Sequence, residues 1–381
     1  MTLPVLLVST ATRGYGTARM PRALTRAGFD VTLLTPRNSL AEKSRFVTRV
    51  AYLADDATPL DWIHAFAATV RAVSPSQVMP CDDMSFRLLA MLVTSPPPQL
   101  QPALRGELSK LVRASLGDPE HYRTSVDATL LAPAAARGGV RVPAHSVVAT
   151  AKEALAFAHA NRYPLVVKRP FAGDGAEIVA NDAELVDAVN ASTPDDLEPD
   201  APRRVLVQQH VEGHVCYQNA AAWQGRLLAS YAGDRLQGNG GPMAPGTVVR
   251  YRHAPELREL SERFVQAFGI SGLFTSAFMI ERDSGLAYLT EINRRIGPAT
   301  HYGAVLNVDL CAALRAAIEG TPSPTRASLD AGDERVFVPF PAEWLRDPQS
   351  RWLREHAVDM PWDDPGLLDA MLALRRAQWA R

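Results

Sequence analysis

The run Tyr288-Leu289-Thr290-Glu291-Ile292-Asn293-Arg294-Arg295 constrains the chain more than any other segment. Its apolar and polar residues alternate as in a half-buried strand. Side chains two apart share one face of a strand, so Glu291 and Asn293 project together, with Leu289 on their side. One carboxylate and one amide oxygen converge. That pair is hard-oxygen chemistry, suited to Mg2+ bound jointly by protein and phosphate groups rather than by a full protein cage. Arg294 and Arg295 follow at once, and a guanidinium that keeps its proton can neutralise charge on a transferred phosphoryl group or an acyl phosphate. Read in isolation, such a pair is more often simply polar residues on the solvated face of an edge strand.

Two other segments change that balance. Lys168 ends the apolar strand Leu165-Val166-Val167, and a lysine so placed needs water or an anion to offset its desolvation. After it comes Gly173-Asp174-Gly175-Ala176, a turn whose N–H groups can approach phosphate oxygens. Farther on, the apolar strand from Val205 ends in Gln208-Gln209-His210-Val211, where amide and backbone groups can read an adenine edge.

Around these segments the chain alternates strand and helix signals. Val5 to Val8 is a strand, followed by the turn Gly14-Tyr15-Gly16 and a helix from Ala18 to Ala27; Val31 to Leu34, the helix Trp62 to Val73 and the strand Gln77 to Pro80 continue the pattern. This predicts a parallel α/β lobe over residues 1–115, closed by the proline tract 95–99. A small α+β lobe over 116–207 should begin with a helix started by Asp118-Pro119 and running from Ser125 to Gly138, then Ala151 to Ala160, Glu184 to Asn190 and the polar loop Ser192 to Pro202. A larger lobe over 208–322 takes strands at Ala220 to Ala232, Leu273 to Ile280 and Leu286 to Ile292, and a helix at Pro255 to Phe268. A helical extension, 323–381, holds a short strand at Val336 to Val338 and a last helix from Asp364 to Trp379, docked by Trp344, Trp352, Trp362 and Trp379.

The segments at Lys168, Gln208 to Val211 and Glu291 to Arg295, in this order, resemble the ATP-grasp family, in particular its carbamoyl-phosphate-synthase-like branch, over roughly residues 118–320. The resemblance implies an α/β N-terminal lobe with a parallel sheet, ahead of two α+β lobes that clamp ATP. It implies that Lys168 contacts ATP phosphates, that Gln208, Gln209, His210 and Val211 form the adenine hinge, and that Glu291 and Asn293 hold Mg2+. Arg295 matches the family arginine near the transferred phosphate. The activity implied is a ligase joining a small-molecule carboxylate to an amine through an acyl phosphate, with ADP and phosphate released. Phosphoryl transfer needs alignment and charge neutralisation rather than a protein nucleophile, and no Ser-His-Asp or Cys-His arrangement stands out. Arg235 and Arg250 are further candidates for an anionic substrate.

Three departures from the family pattern are specific. Asp127-Ala128 stands where a second ATP lysine is common, Ala277 where a further metal ligand lies on the preceding strand, and Gln209 where a glutamate is frequent. A protein that binds nucleotide or metabolite without turnover is therefore the alternative.

The remaining features exclude more than they add. Forty basic against 41 acidic residues give no general attraction to nucleic acid or anionic membranes. No stretch suits a membrane span. Cys81, Cys216 and Cys311 form no CxxC pair, which fits a reducing cytoplasm. His64, His121, His210, His214 and His301 show no metal-ligand spacing, and the turn at Gly14 to Gly16 lacks the GxGxxG spacing of a dinucleotide site; it would close a strand-helix turn or face the acceptor substrate. Oligomeric state is left open.

Overall fold

The computed structural model describes residues 2–54, 56–171, 175–191, 204–240 and 245–379. Strands β1 (Leu3–Val8), β2 (Phe29–Pro36), β3 (Arg49–Leu53) and β4 (Gln77–Pro80) form a parallel sheet in the order β3-β2-β1-β4. The apolar runs of β1, β2 and β4 are buried because helices cover parallel sheets, while β3 is a partly exposed edge. Helix α1 (Tyr15–Arg26) begins three residues before the expected start, and α2 (Pro59–Val73) is closed at its N-terminus by a Thr58/Asp61 capping box. Two helices that the sequence reading missed follow, α3 (Asp83–Thr94) and α4 (Pro102–Leu116). Asp82 starts α3: its carboxylate accepts from the Ser85 N–H at 2.8 Å and also from Ser9 and Thr10, at the end of β1.

The helix expected from Asp118 is divided. Pro119–His121 is a single 3-10 turn, and α5 (Ala128–Arg137) starts only where Asp127 caps it, accepting from the Thr129 N–H at 2.9 Å. Beyond it, β5 (His145–Val148), α6 (Ala151–Ala160), β6 (Leu165–Lys168), β7 (Ala176–Val179), α7 (Asp182–Asn190) and β8 (Val205–Gln209) form a small antiparallel sheet, ordered β5-β8-β6-β7, with a core of its own. Gly173, Asp174 and the loop Ser192 to Pro202 lie outside the described residues.

A seven-stranded sheet follows. It comprises β9 (Gly213–Trp223), β10 (Arg226–Gly238), β11 (Gly246–Arg252), β12 (Gly272–Glu281), β13 (Ala287–Asn293), β14 (Arg335–Val338) and β15 (Ala357–Val358), ordered β13-β12-β9-β10-β11-β14-β15. Helix α8 (Pro255–Ala267) covers one face, while α9 (Leu310–Glu319) and α1 join the other face to the parallel sheet. The stretch Ala220 to Ala232 is two strands, not one. Gln224 and Gly225 turn the chain there, both at positive φ, as a two-residue hairpin of this type requires.

The tail is not a free extension. Besides β14 and β15 it contains α10 (Ala342–Arg346), α11 (Trp352–Glu355) and α12 (Pro365–Trp379), and Leu367 and Met371 of α12 enter the core around α1. Trp362 is 73% exposed and anchors nothing. Trp344 does pack against that core, beside Phe340, whereas the Trp379 side chain lies outside the described residues. Asp364, before α12, is buried and accepts from the Ser44 hydroxyl and the Arg45 N–H of the N-terminal lobe. Asp364→Ala strands both donors, so the thermal midpoint should fall by an amount corresponding to about 1–3 kcal/mol; an unchanged midpoint in a calorimetric scan would refute the docking role.

Candidate functional site

Strand register assembles the site. Glu291 lies opposite Ala277, which lies opposite Tyr217; Asn293 lies opposite Thr275, which lies opposite Asn219. Directly paired residues share a face, so these six side chains form two rows on one side of the large sheet. Asn293 Nδ2 donates to Glu291 Oε1 at 3.0 Å, which places the expected carboxylate and amide in contact.

The small sheet brings Lys168 to the same place. Its Nζ donates to the carbonyl of Thr290, beside Glu291, at 2.9 Å, and the residue is only 8% exposed. Burial pulls its pKa below the ordinary lysine value, and the Glu291 charge opposes that shift. The cleft between the sheets is lined by Lys168, Gln208, His210, Val211 and Glu291, so five of the expected residues converge. Gln209 differs from its neighbours. Successive strand side chains alternate, so Gln208 faces the cleft and the exposed Gln209 points away, while its N–H is committed to the Ala144 carbonyl.

Ala128 and Ala277 also line this cleft. Ala128 is the first residue of α5, held there by the Asp127 cap, and Ala277 sits between Glu291 and Tyr217 in their row. Both methyl groups therefore occupy positions from which a longer side chain would reach the cleft.

Glu291 also walls a second cavity, with Asp83, Tyr217, Asn219, Asn293 and Arg295. Arg295 Nε donates to Asp83 Oδ1 at 3.0 Å, so the first residue of α3 holds this guanidinium at the cavity. Arg294 turns the other way. It is buried, donates to the Ser125 hydroxyl and the Leu116 carbonyl, and stands over the Phe86 ring; burial lowers its pKa to about 10. The twin arginines therefore divide into one facing the site and one tying the lobes together.

The two further arginines also separate. Arg235 pairs with Val249 across the sheet, on the cavity side. Arg250 lies between Val249 and Tyr251, which line the cavity, so it projects from the opposite face, where it meets Asp234 at 3.1 Å and Glu334 at 3.7 Å. It is an ion-pair residue of the far face, not a substrate candidate. Asp83, Tyr217, Asn219 and Thr275 are site-lining residues that the sequence reading missed. Tyr217 and Asn219 carried a weak signal, lying two apart just ahead of the apolar run Ala220-Ala221-Ala222.

Among the described residues no group of three or more His, Cys, Asp or Glu side chains could hold a metal unaided. The Glu291 and Asn293 oxygens nonetheless fit an Mg2+ that completes its shell with phosphate oxygens and water.

Residues 128–301 match the family model described as carbamoyl-phosphate synthase L chain, ATP binding domain. Among solved structures, the chain is similar to an N5-carboxyaminoimidazole synthetase from Staphylococcus aureus, at 12% identity and a TM-score of 0.61, over 88% of this chain and 82% of that one. It is similar to a biotin carboxylase from Campylobacter jejuni in a beta-gamma-ATP complex, at 14% identity and a TM-score of 0.64, over 87% and 74% of the two chains. An L-amino acid ligase from Bacillus licheniformis aligns at 18% identity and a TM-score of 0.56, over 84% and 74%. At these identities the likeness is one of fold. Comparison with curated proteins gave no match. The family model thus covers the segment that carries Lys168, Gln208 to Val211 and Glu291 to Arg295, and the likeness to the solved structures extends a shared fold over more than four fifths of the chain.

Proposed function

We propose that the chain is an ATP-dependent ligase that joins a carboxylate to an amine through an acyl phosphate and releases ADP and phosphate. One observation carries the reading: Lys168 from the small sheet meets Glu291 in one cleft, and Glu291, hydrogen-bonded to Asn293, also walls the cavity that holds Asn293 and Arg295. The nucleotide occupies the cleft, with its base against Gln208 to Val211 and its phosphates at Lys168. Glu291 and Asn293 hold Mg2+, which neutralises charge on the phosphate oxygens. The substrate carboxylate lies in the second cavity and attacks the γ-phosphorus from there. Arg295 stabilises the charge that develops on the transferred group, and Asp83 keeps its fork oriented.

A second reading rests on Ala128 and Ala277, which leave methyl groups in this cleft: nucleotide held without turnover. Incubation with MgATP, small carboxylic acids and pooled amino acids separates the two. The ligase releases ADP and phosphate with a new amide detectable by mass spectrometry; AMP as the product excludes the acyl-phosphate route, and nucleotide binding without any product supports the second reading.

Lys168→Met removes a buried cation whose desolvation opposes folding, at the loss of one bond to Thr290. A depressed lysine pKa means that the folded state binds its proton less readily than the unfolded chain does, so the charged form costs stability at neutral pH. The variant should keep or raise the thermal midpoint of the free protein. It should lose the MgATP-induced rise, which for a ligand at a hundredfold its Kd amounts to about 2.7 kcal/mol. A rise equal to that of the unaltered protein would remove Lys168 from the nucleotide site.

Ala128→Lys supplies a second cation at the cleft. A charged hydrogen bond to phosphate predicts about tenfold tighter MgATP binding by calorimetry. Unchanged or weaker binding would show that the start of α5 does not face the phosphates.

A further inference from the structure

A third cavity adjoins the one that holds Arg295, sharing Pro245, Gly246, Pro298 and Pro339 in its wall. It is lined by Tyr15, Arg19, Thr247, His301, Tyr302 and Asp359, none of which the nucleotide reading uses. Three features of its surroundings ask for the same kind of ligand.

The first is His301. Its side chain is 7% exposed, and its Nε2 lies 2.7 Å from Asp359 Oδ2. Asp359 also takes an ion pair from Arg19 at 2.5 Å, whereas Arg19 Nε comes no closer to the ring than 3.5 Å. The short carboxylate contact assigns the ring proton to Nε2, which leaves Nδ1 a bare acceptor. That Nδ1 is buried and, among the described residues, has no hydrogen-bond partner. Burial also holds the ring pKa down, against the pull of Asp359 and with the help of Arg19 and Arg22, so the imidazole is neutral and accepting.

The second is Tyr251, on the wall of the adjoining cavity. It is 1% exposed, and among the described residues its hydroxyl is likewise without a partner. A phenol in that state asks for an acceptor oxygen.

The third is the start of α1. Tyr15, its first residue, is on the cavity wall; the N-cap is Gly14, no side chain caps the helix, and its first turn contains no acidic residue. Among the described residues no side chain therefore compensates the first N–H groups of this 12-residue helix or the positive end of its dipole, which suits a carboxylate. Gly16 is pressed so closely against Gly297 that an added Cβ would lie 2.4 Å from the Gly297 carbonyl oxygen, which fixes this helix end beside the Pro298 wall.

We propose that this cavity binds the amine substrate and that the substrate is an amino acid, with an N–H donated to His301 Nδ1 and a carboxylate at the start of α1. This rests on the ligase reading. Asp359 and Arg19 act as positioning residues, fixing the tautomer and orientation of His301.

Hydroxylamine separates the two claims, because it intercepts an acyl phosphate as a hydroxamate and has no carboxylate to occupy the subsite. In Tyr251→Phe and His301→Phe, kcat/KM for the amino acid should fall at least about tenfold further than kcat/KM for hydroxylamine. Equal losses for both nucleophiles, or no loss for either, would overturn the subsite. Tyr251→Phe deletes only an unpaired buried hydroxyl and keeps the ring contacts with Tyr231, Tyr302 and Phe337, so it guards against a folding artefact. If the unaltered protein gives neither hydroxamate nor ADP with any carboxylate, the ligase reading fails by itself. Thermal shifts with single L-amino acids then decide the subsite. A rise that the matching desamino acids and simple amines do not produce, and that Tyr251→Phe abolishes, sustains it; no rise with any amino acid overturns it.

Discussion

The contact between the Lys168 ammonium and the Thr290 carbonyl is the interaction on which the site depends. A nearly buried ammonium with one neutral acceptor among the described residues, aided by the field of Glu291, is poorly compensated for the water it has lost. The cost is tolerable because the contact sets the small sheet against the large one at the point where Glu291 and Asn293 project. An anion entering the cleft would supply the compensation that the free protein lacks. The same atoms thus define the geometry of the cleft and its affinity for negative charge.

Much of this was legible in the residues because the relevant signals are local. Period-two alternation in β13 places Glu291 with Asn293, and an apolar strand ending in lysine identifies Lys168. What escaped is settled between segments. Nothing in Arg294-Arg295 says which guanidinium enters the lobe interface, because that depends on Ser125 and Leu116, far away in sequence. Arg250 and Arg235 look alike as loop or strand cations until sheet register assigns them opposite faces. Asp83 carried no signal beyond following the strand Gln77 to Pro80, although it begins a helix whose first carboxylate reaches Arg295. Strand β3 was missed because its partly exposed edge carries little apolar signal.

The departures from the family pattern also gain physical content. Ala277 is flanked in its row by Glu291 and Tyr217, next to the row of Asn293, Thr275 and Asn219. Five oxygen-bearing side chains thus lie around the methyl group, so the sheet face stays polar although the residue itself offers no ligand. Asn219 Oδ1 already accepts from the Thr300 hydroxyl at 3.3 Å, which ties this face to the segment that leads into His301.

The way the tail is stitched into the structure has a consequence for biosynthesis. Strands β14 and β15 join the large sheet, Asp359 holds His301, and Asp364 is bonded to Ser44 and Arg45. On the ribosome these residues emerge after the rest of both α+β sheets and long after the parallel sheet that they fasten. A nascent chain can thus assemble the nucleotide cleft while the neighbouring cavity still lacks the carboxylate that orients its histidine. On the ligase reading proposed above, the amine subsite would be completed after the nucleotide cleft, by residues that line no part of that cleft.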